Sequence, residues 1–244
     1  MSCRIRFFLG HILISLLISL FTIGLIFFIW YPSPFATAVG VTQIFLMLLV
    51  IDVILGPLLG LLVYKEGKKT LKFDLSVIIA LQIVALCYGI YSIEQGRPAW
   101  IAYNVDCFEL VRKNEIIDDH IAQALPQYQQ VSWFKPQYVA VEFAQDVNTR
   151  NNDMFAEAFR GISIAQKPER YFDFTKAKLQ LKQSAKNLKE LQQYNDVQKV
   201  NSILSKYPQA NAFVPLKANV VDMTVLINKE TGDVIKIVDL RPWN

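Results

Sequence analysis

Three apolar runs dominate the first 94 residues: Phe7–Trp30, Val39–Tyr64 and Leu75–Ile93. Each reaches the roughly 18–20 residues a helix needs to cross about 30 Å of hydrocarbon. After Gln95-Gly96-Arg97-Pro98 the pattern changes from continuous to alternating, as in strands with one face in water. Trp100–Val111 reads as a strand with Ile101, Tyr103, Val105 and Cys107 on one face, Asn114–Leu125 as a helix closed by Pro126, and Tyr138–Phe143 as a second strand. Asp153 is a plausible N-cap for Met154–Phe159, with Gly161 as the stop. Thr175–Tyr194 is the longest helical pattern, and Asp196–Tyr207 is another. The chain then forms a hairpin of Asn219–Asn228 and Asp233–Leu240, in which Gly232 supplies the positive φ of the turn. The expected fold is a bundle of three transmembrane α-helices, residues 1–94, followed by an α+β domain with antiparallel strands, residues 95–244.

Flanking charge gives the bundle an orientation, because short loops rich in Lys and Arg stay in the cytoplasm. Arg4 and Arg6 precede the first run, and Lys65, Lys68, Lys69 and Lys72 crowd the second connection, whereas Tyr31–Ala38 carries no charge. The N-terminus is therefore expected inside and the C-terminal domain outside, in the periplasm if the membrane is a bacterial inner membrane. Ala36-Thr37-Ala38 imitates a signal-peptidase site, but the run before it is longer than the 7–15 residues of a signal h-region. The formal charge of +4 belongs to these flanks; from Glu94 onward basic and acidic residues nearly balance. Nucleic acid, which needs a concentrated basic face, is not an expected partner.

Within the bundle, Asp52 lies near the middle of the second run, where a carboxylate costs on the order of 3 kcal/mol. Counting residues from the ends brings Ser19 and Tyr88 to its depth as hydrogen-bond partners. A contact with another protein's transmembrane helix is the alternative role, and a proton relay finds no second acid or His beside it. Pro57 frees the carbonyl of Val53 and should kink the helix, leaving a groove. Ser15-x-x-x-Ser19 and Gly56-x-x-x-Gly60 have the small-residue spacing of helix contacts, within this bundle or with a foreign helix. Gln82 is expected to bond a neighbouring helix.

Catalytic material is sparse. The chain has two His, His11 and His120, and three Cys, of which Cys107 alone falls in the C-terminal domain, as a small buried strand residue or a redox or intermolecular thiol. GxSxG, HExxH, P-loop and CxxC motifs do not occur. No enzyme, cofactor or metal site is expected. Lys178, Lys182 and Lys186 form an i, i+4 ladder that reads as a solvated helix face, or as a contact for an acidic partner or anionic head groups.

The segments Asp52-Val-Ile-Leu-Gly-Pro-Leu-Leu-Gly60, Leu71-Lys-Phe-Asp-Leu-Ser76, Tyr88-Gly-Ile-Tyr91 and Gly96-Arg-Pro98 together resemble the TfpX/TfpZ-type family of type IV pilin accessory proteins. Val105–Val111, Pro168–Phe172 and Val238–Trp243 extend the likeness to the C-terminus. The resemblance implies an inner-membrane, chaperone-like factor of a piliated Gram-negative bacterium. Such a factor stabilises a major pilin or promotes its assembly, has no known enzymatic activity, and has membrane lipid and other pilus assembly components as further candidate partners. It supplies no residue roles. Asp52, Gly56, Pro57 and Gly60 are the candidate pilin-helix contacts on physical grounds. Two other classes share this outline: a membrane-tethered sensor or ligand-binding domain, and a membrane hydrolase with convergent titratable groups.

Overall fold

The structure, a computed structural model, describes residues 2–243. Three helices are long and apolar enough to cross a membrane: α1 (Cys3–Trp30), α3 (Val41–Val63) and α4 (Leu71–Gln95). A short helix, α2 (Phe35–Val39), follows α1 and ends on Gly40, whose φ of 77° reverses the chain into α3. The last stretch of α1, Leu25–Trp30, and the middle of α3, Val50–Leu55, are wound as π turns. The second lies just before Pro57, whose missing N–H removes a rung of the regular ladder.

Beyond α4 an eight-stranded sheet runs in the order β4-β3-β1-β2-β6-β7-β8, with β5 paired to β6. Its strands are β1 (Pro98–Asn104), β2 (Cys107–Arg112), β3 (Gln137–Val141), β4 (Tyr171–Phe172), β5 (Lys186–Asn187), β6 (Ala212–Lys217), β7 (Met223–Asn228) and β8 (Asp233–Val238). Helices α5 (Val147–Arg160), α6 (Lys178–Ser184) and α7 (Val197–Leu204) lie between them.

Among the described residues five strand pairs, the terminal hairpin among them, are antiparallel as expected, but the sheet as a whole is not purely so. It is mixed, because β1 pairs with β3 and β2 with β6 in parallel. The predicted strand Trp100–Val111 is two strands, folded at Val105, whose φ is 57°. Alternation continues through the turn, so period alone could not reveal it. Asn114–Leu125 is not a helix but short 3-10 turns at Lys113–Glu115 and Ile121–Gln123. Thr175–Tyr194 is likewise broken: Ala185 is extended, β5 follows, and Asn187 caps a new 3-10 turn. Helix α5 starts earlier than predicted, capped by Asp146, which leaves Asp153 inside the helix. The stop at Gly161 and the turn at Gly232 are as expected, and the helical pattern Asp196–Tyr207 is a helix over Val197–Leu204 that Asp196 caps. The predicted strand from Asn219 starts only at Met223.

One face of the sheet is the floor of the largest core. Ile101, Tyr103, Phe108, Val214, Val225 and Ile237 share it with Trp30, Tyr31, Phe35, Ala38 and Val39, from the end of α1 and the segment after it. The opposite face carries two smaller cores, around Trp100 and Tyr171 and around Phe213 and Leu240. The main core therefore runs across position 94 in sequence.

Candidate functional site

Two glycines of α3 let the three long helices meet. At Gly60 the space a side chain would enter is taken by the Phe7 ring, 3.0 Å away, and by His11 of α1. At Gly56 that space holds the Gln82 amide of α4, which donates a hydrogen bond of 3.2 Å to the Asp52 carbonyl. Gln82 thus bonds a neighbouring helix as expected, and the Gly56-x-x-x-Gly60 spacing serves close packing inside the bundle. Pro57 is buried between these two contacts.

Beside this contact a cavity of about 390 Å³ opens among α1, α3 and α4. Its wall is mainly apolar, with Ile14, Ile18, Ile79, Ile83 and Leu86, and Gly10 leaves it wide. His11, Ser15, Asp52 and Gln82 are its polar points, and Arg6 stands at one end. Asp52 is buried, and its carboxylate has no hydrogen-bond partner among the described residues. Ser19 lies beside it across a small adjoining pocket, without a bond to it. Tyr88 is 72% exposed and does not approach it. Its neighbour Gly89 packs against Leu48, about one turn from Asp52, and six residues from Gln82 is about 240° around a helix, so Tyr88 faces away. Both expected partners of Asp52 are therefore corrected.

His11, for which no sequence motif suggests a role, lines the same cavity as Asp52. The signal was present: His11, Ser15, Ser19 and Thr22 follow at four, four and three residues, a polar stripe on one face of α1. Gln82 Oε1 and His11 Nδ1 are buried without partners among the described residues. Polar side chains from all three helices therefore line one mainly apolar cavity.

Above the cavity, polar contacts fasten the sheet domain to the helix ends. The Tyr31 hydroxyl donates 2.7 Å to the Ile93 carbonyl, and burial raises its pKa well above the ordinary tyrosine value. The Ala38 carbonyl accepts from the backbone N–H groups of Val220 and Val221, at 3.0 and 3.2 Å. The Glu94 carboxylate accepts from Lys113 Nζ at 2.8 Å and from Arg97 Nε at 3.1 Å. On the domain itself, α5 turns Met154, Phe155 and Phe159 to the outside and holds on through Asp153, bonded to Lys167 at 2.6 Å and Arg170 at 3.0 Å.

The model of a family described as fimbrial assembly protein FimB matches residues 1–40, the segment that carries the α1 wall of the cavity. A fimbrial assembly protein of serogroup E1 from Dichelobacter nodosus is 32% identical over 180 residues, 73% of this chain and 70% of the relative. The chain belongs to the fimbrial assembly protein family. A serogroup I relative from the same organism matches equally, at 32% over 180 residues. One of serogroups C1 and C2 is 35% identical over 116 residues, 47% of this chain and 88% of the relative. No solved structure matches the chain.

For a fimbrial assembly protein the remaining sequence candidates resolve simply. His120 is exposed in a turn. Lys178 bonds Asp233 at 2.6 Å and Lys182 bonds the Glu230 carbonyl at 3.0 Å, so two members of the predicted solvated ladder brace the terminal hairpin, and Lys186 stands on β5 instead of the helix. Cys107 opens β2 and is half-buried, and burial raises its thiol from 9.0 to about 12. Among the described residues no three of His, Cys, Asp and Glu cluster closely enough to share a metal ion. The family's names describe assembly, not catalysis.

Proposed function

We propose that this fimbrial assembly protein is an inner-membrane, chaperone-like accessory factor of the TfpX/TfpZ type that binds a type IV major pilin. The N-terminus is cytoplasmic, α1, α3 and α4 cross the membrane, and the sheet domain lies in the periplasm. The pilin stalk, an apolar helix standing in the same membrane before assembly, enters the cavity beside Asp52. Gly56, Pro57 and Gly60 shape the wall behind that carboxylate, and the domain meets the pilin head.

The observation that carries this reading is the carboxylate itself. A residue costing about 3 kcal/mol at mid-membrane is left without a partner in an open apolar cavity. That is the arrangement expected of a contact completed by a second helix. A photoreactive residue at Ile83 is expected to crosslink to pilin in piliated cells, and deletion of the gene to lower surface pili or total pilin. Asp52→Asn should weaken the crosslink and Asp52→Leu abolish it. Full piliation in the deletion strain would end the accessory role, and full activity of Asp52→Leu would end the role of the carboxylate. An alkaline phosphatase fusion after Trp243 is expected to be active, as the orientation requires.

A further inference from the structure

Strand β3 pairs with β1 in a register that sets Gln137 opposite Trp100, just after the chain has left α4. The segment before it, Val131–Pro136, is therefore returned to the end of the sheet where the long helices finish. Two contacts fix it there. The Trp133 ring meets Trp30, the last residue of α1, edge to face at 5.8 Å between centroids. The Arg97 guanidinium, two residues beyond α4, lies 6.0 Å from the centre of the same ring. Trp133 nevertheless remains 56% exposed, and its neighbour Phe134 62%. Two adjacent aromatic side chains thus protrude at the level of the outer ends of two long apolar helices.

The charge around them is unbalanced. Glu94 alone answers both Arg97 and Lys113, and the Lys113 side chain stays partly exposed. Arg97 itself is buried beneath the Trp133 ring, so the accessible charge here is that of Lys113. Lys135 adds another cation to the loop. Aromatic rings with an apolar body, beside surplus positive charge, match the layer where acyl chains give way to phosphate-bearing head groups.

We propose that Val131–Pro136 is a lipid-binding element. Trp133 and Phe134 seat in the interfacial layer of the leaflet on the domain's side, and the accessible cations Lys113 and Lys135 face head-group phosphates. The inference rests on α1, α3 and α4 being membrane spans, and its test separates the two claims. In the full chain carrying Cys3→Ser, Cys87→Ser and Cys107→Ala, reconstituted in vesicles containing anionic phospholipid, a nitroxide is placed in turn at Phe28→Cys on α1, Phe134→Cys and Glu230→Cys. The ratio of relaxation by oxygen to relaxation by a water-soluble nickel chelate is then read at each site. Position 28 should give the highest ratio and position 230 the lowest, with position 134 several-fold above position 230. If 134 matches 230, the loop is in water and the proposal fails while the spans stand. If 134 is shielded from both reagents, protein covers it and the proposal again fails. A water-like reading at 28 removes the spans and the loop together. Without any label, brominated lipid should quench the unsubstituted protein more than Trp133→Phe; equal quenching also overturns the proposal.

Discussion

Asp153 is a buried carboxylate answered by two cations from a later segment, and those bonds are what hold α5 to the domain. Removing one partner of such a group strands the others, at a cost of roughly 3–5 kcal/mol. Asp153→Ala is therefore expected to lower the denaturation midpoint sharply and to open α5 to limited proteolysis. Asp153→Asn, which keeps a hydrogen-bond acceptor, should do less. An unchanged midpoint in Asp153→Ala would show that the ion pairs contribute nothing net. Cys107 offers a second check. Its folded thiol keeps the proton up to about pH 12, against 9.0 for an ordinary one, because burial disfavours the thiolate. Below pH 9.0 both folded and unfolded chains are protonated and stability is intact; between 9.0 and 12 the unfolded chain ionises first, so stability falls as pH rises. Alkylation by iodoacetamide at pH 8 should be much slower for folded Cys107 than in denaturant, and Cys107→Ala should flatten part of the alkaline decline.

The glycines of the bundle separate packing from occupancy. A side chain at Gly60 meets Phe7 at 3.0 Å, whereas Gly10, on the cavity wall, has nothing within 4 Å. Gly60→Leu should overpack the interface, at about 1–3 kcal/mol, and lower the thermal midpoint in detergent. Gly10→Leu should leave that midpoint nearly unchanged yet fill the cavity and suppress the Ile83 crosslink to pilin. If Gly10→Leu crosslinks normally, the cavity is not where the partner enters. The long helices, the Gly161 stop and the Gly232 turn were legible because each depends on local chemistry: run length, or a φ that few residues tolerate. Thr175–Tyr194 misled because its helical spacing is interrupted by tertiary demands. Ala185 extends so that β5 can reach β6, and Lys178 and Lys182 find partners on the distant terminal hairpin. Parallel pairing of β1 with β3 was hidden for a similar reason, since the neighbours lie more than 30 residues apart. At the cavity, counting along the helices gives an approximate depth but no azimuth, so it cannot tell that Tyr88 faces outward and His11 inward.

At the scale of the molecule, helices and sheet share an interior, with Tyr31, Phe35, Ala38 and Val39 packed against β1, β7 and β8. Residues 95–244 expressed alone should therefore expose that sheet face and aggregate, while the full chain in detergent unfolds in one transition involving the domain and α2. A monodisperse, well-folded 95–244 fragment would show that the shared interior is dispensable. The arrangement also sets a schedule. The loop that begins at Tyr31 is among the first parts to leave the ribosome, and the strands that cover it, β7 and β8, are among the last. At about 5–20 residues per second the interval is roughly 10–40 s. For that time a greasy stretch has no shelter of its own, and the cell must either shield it or risk losing the newborn chain to its proteases.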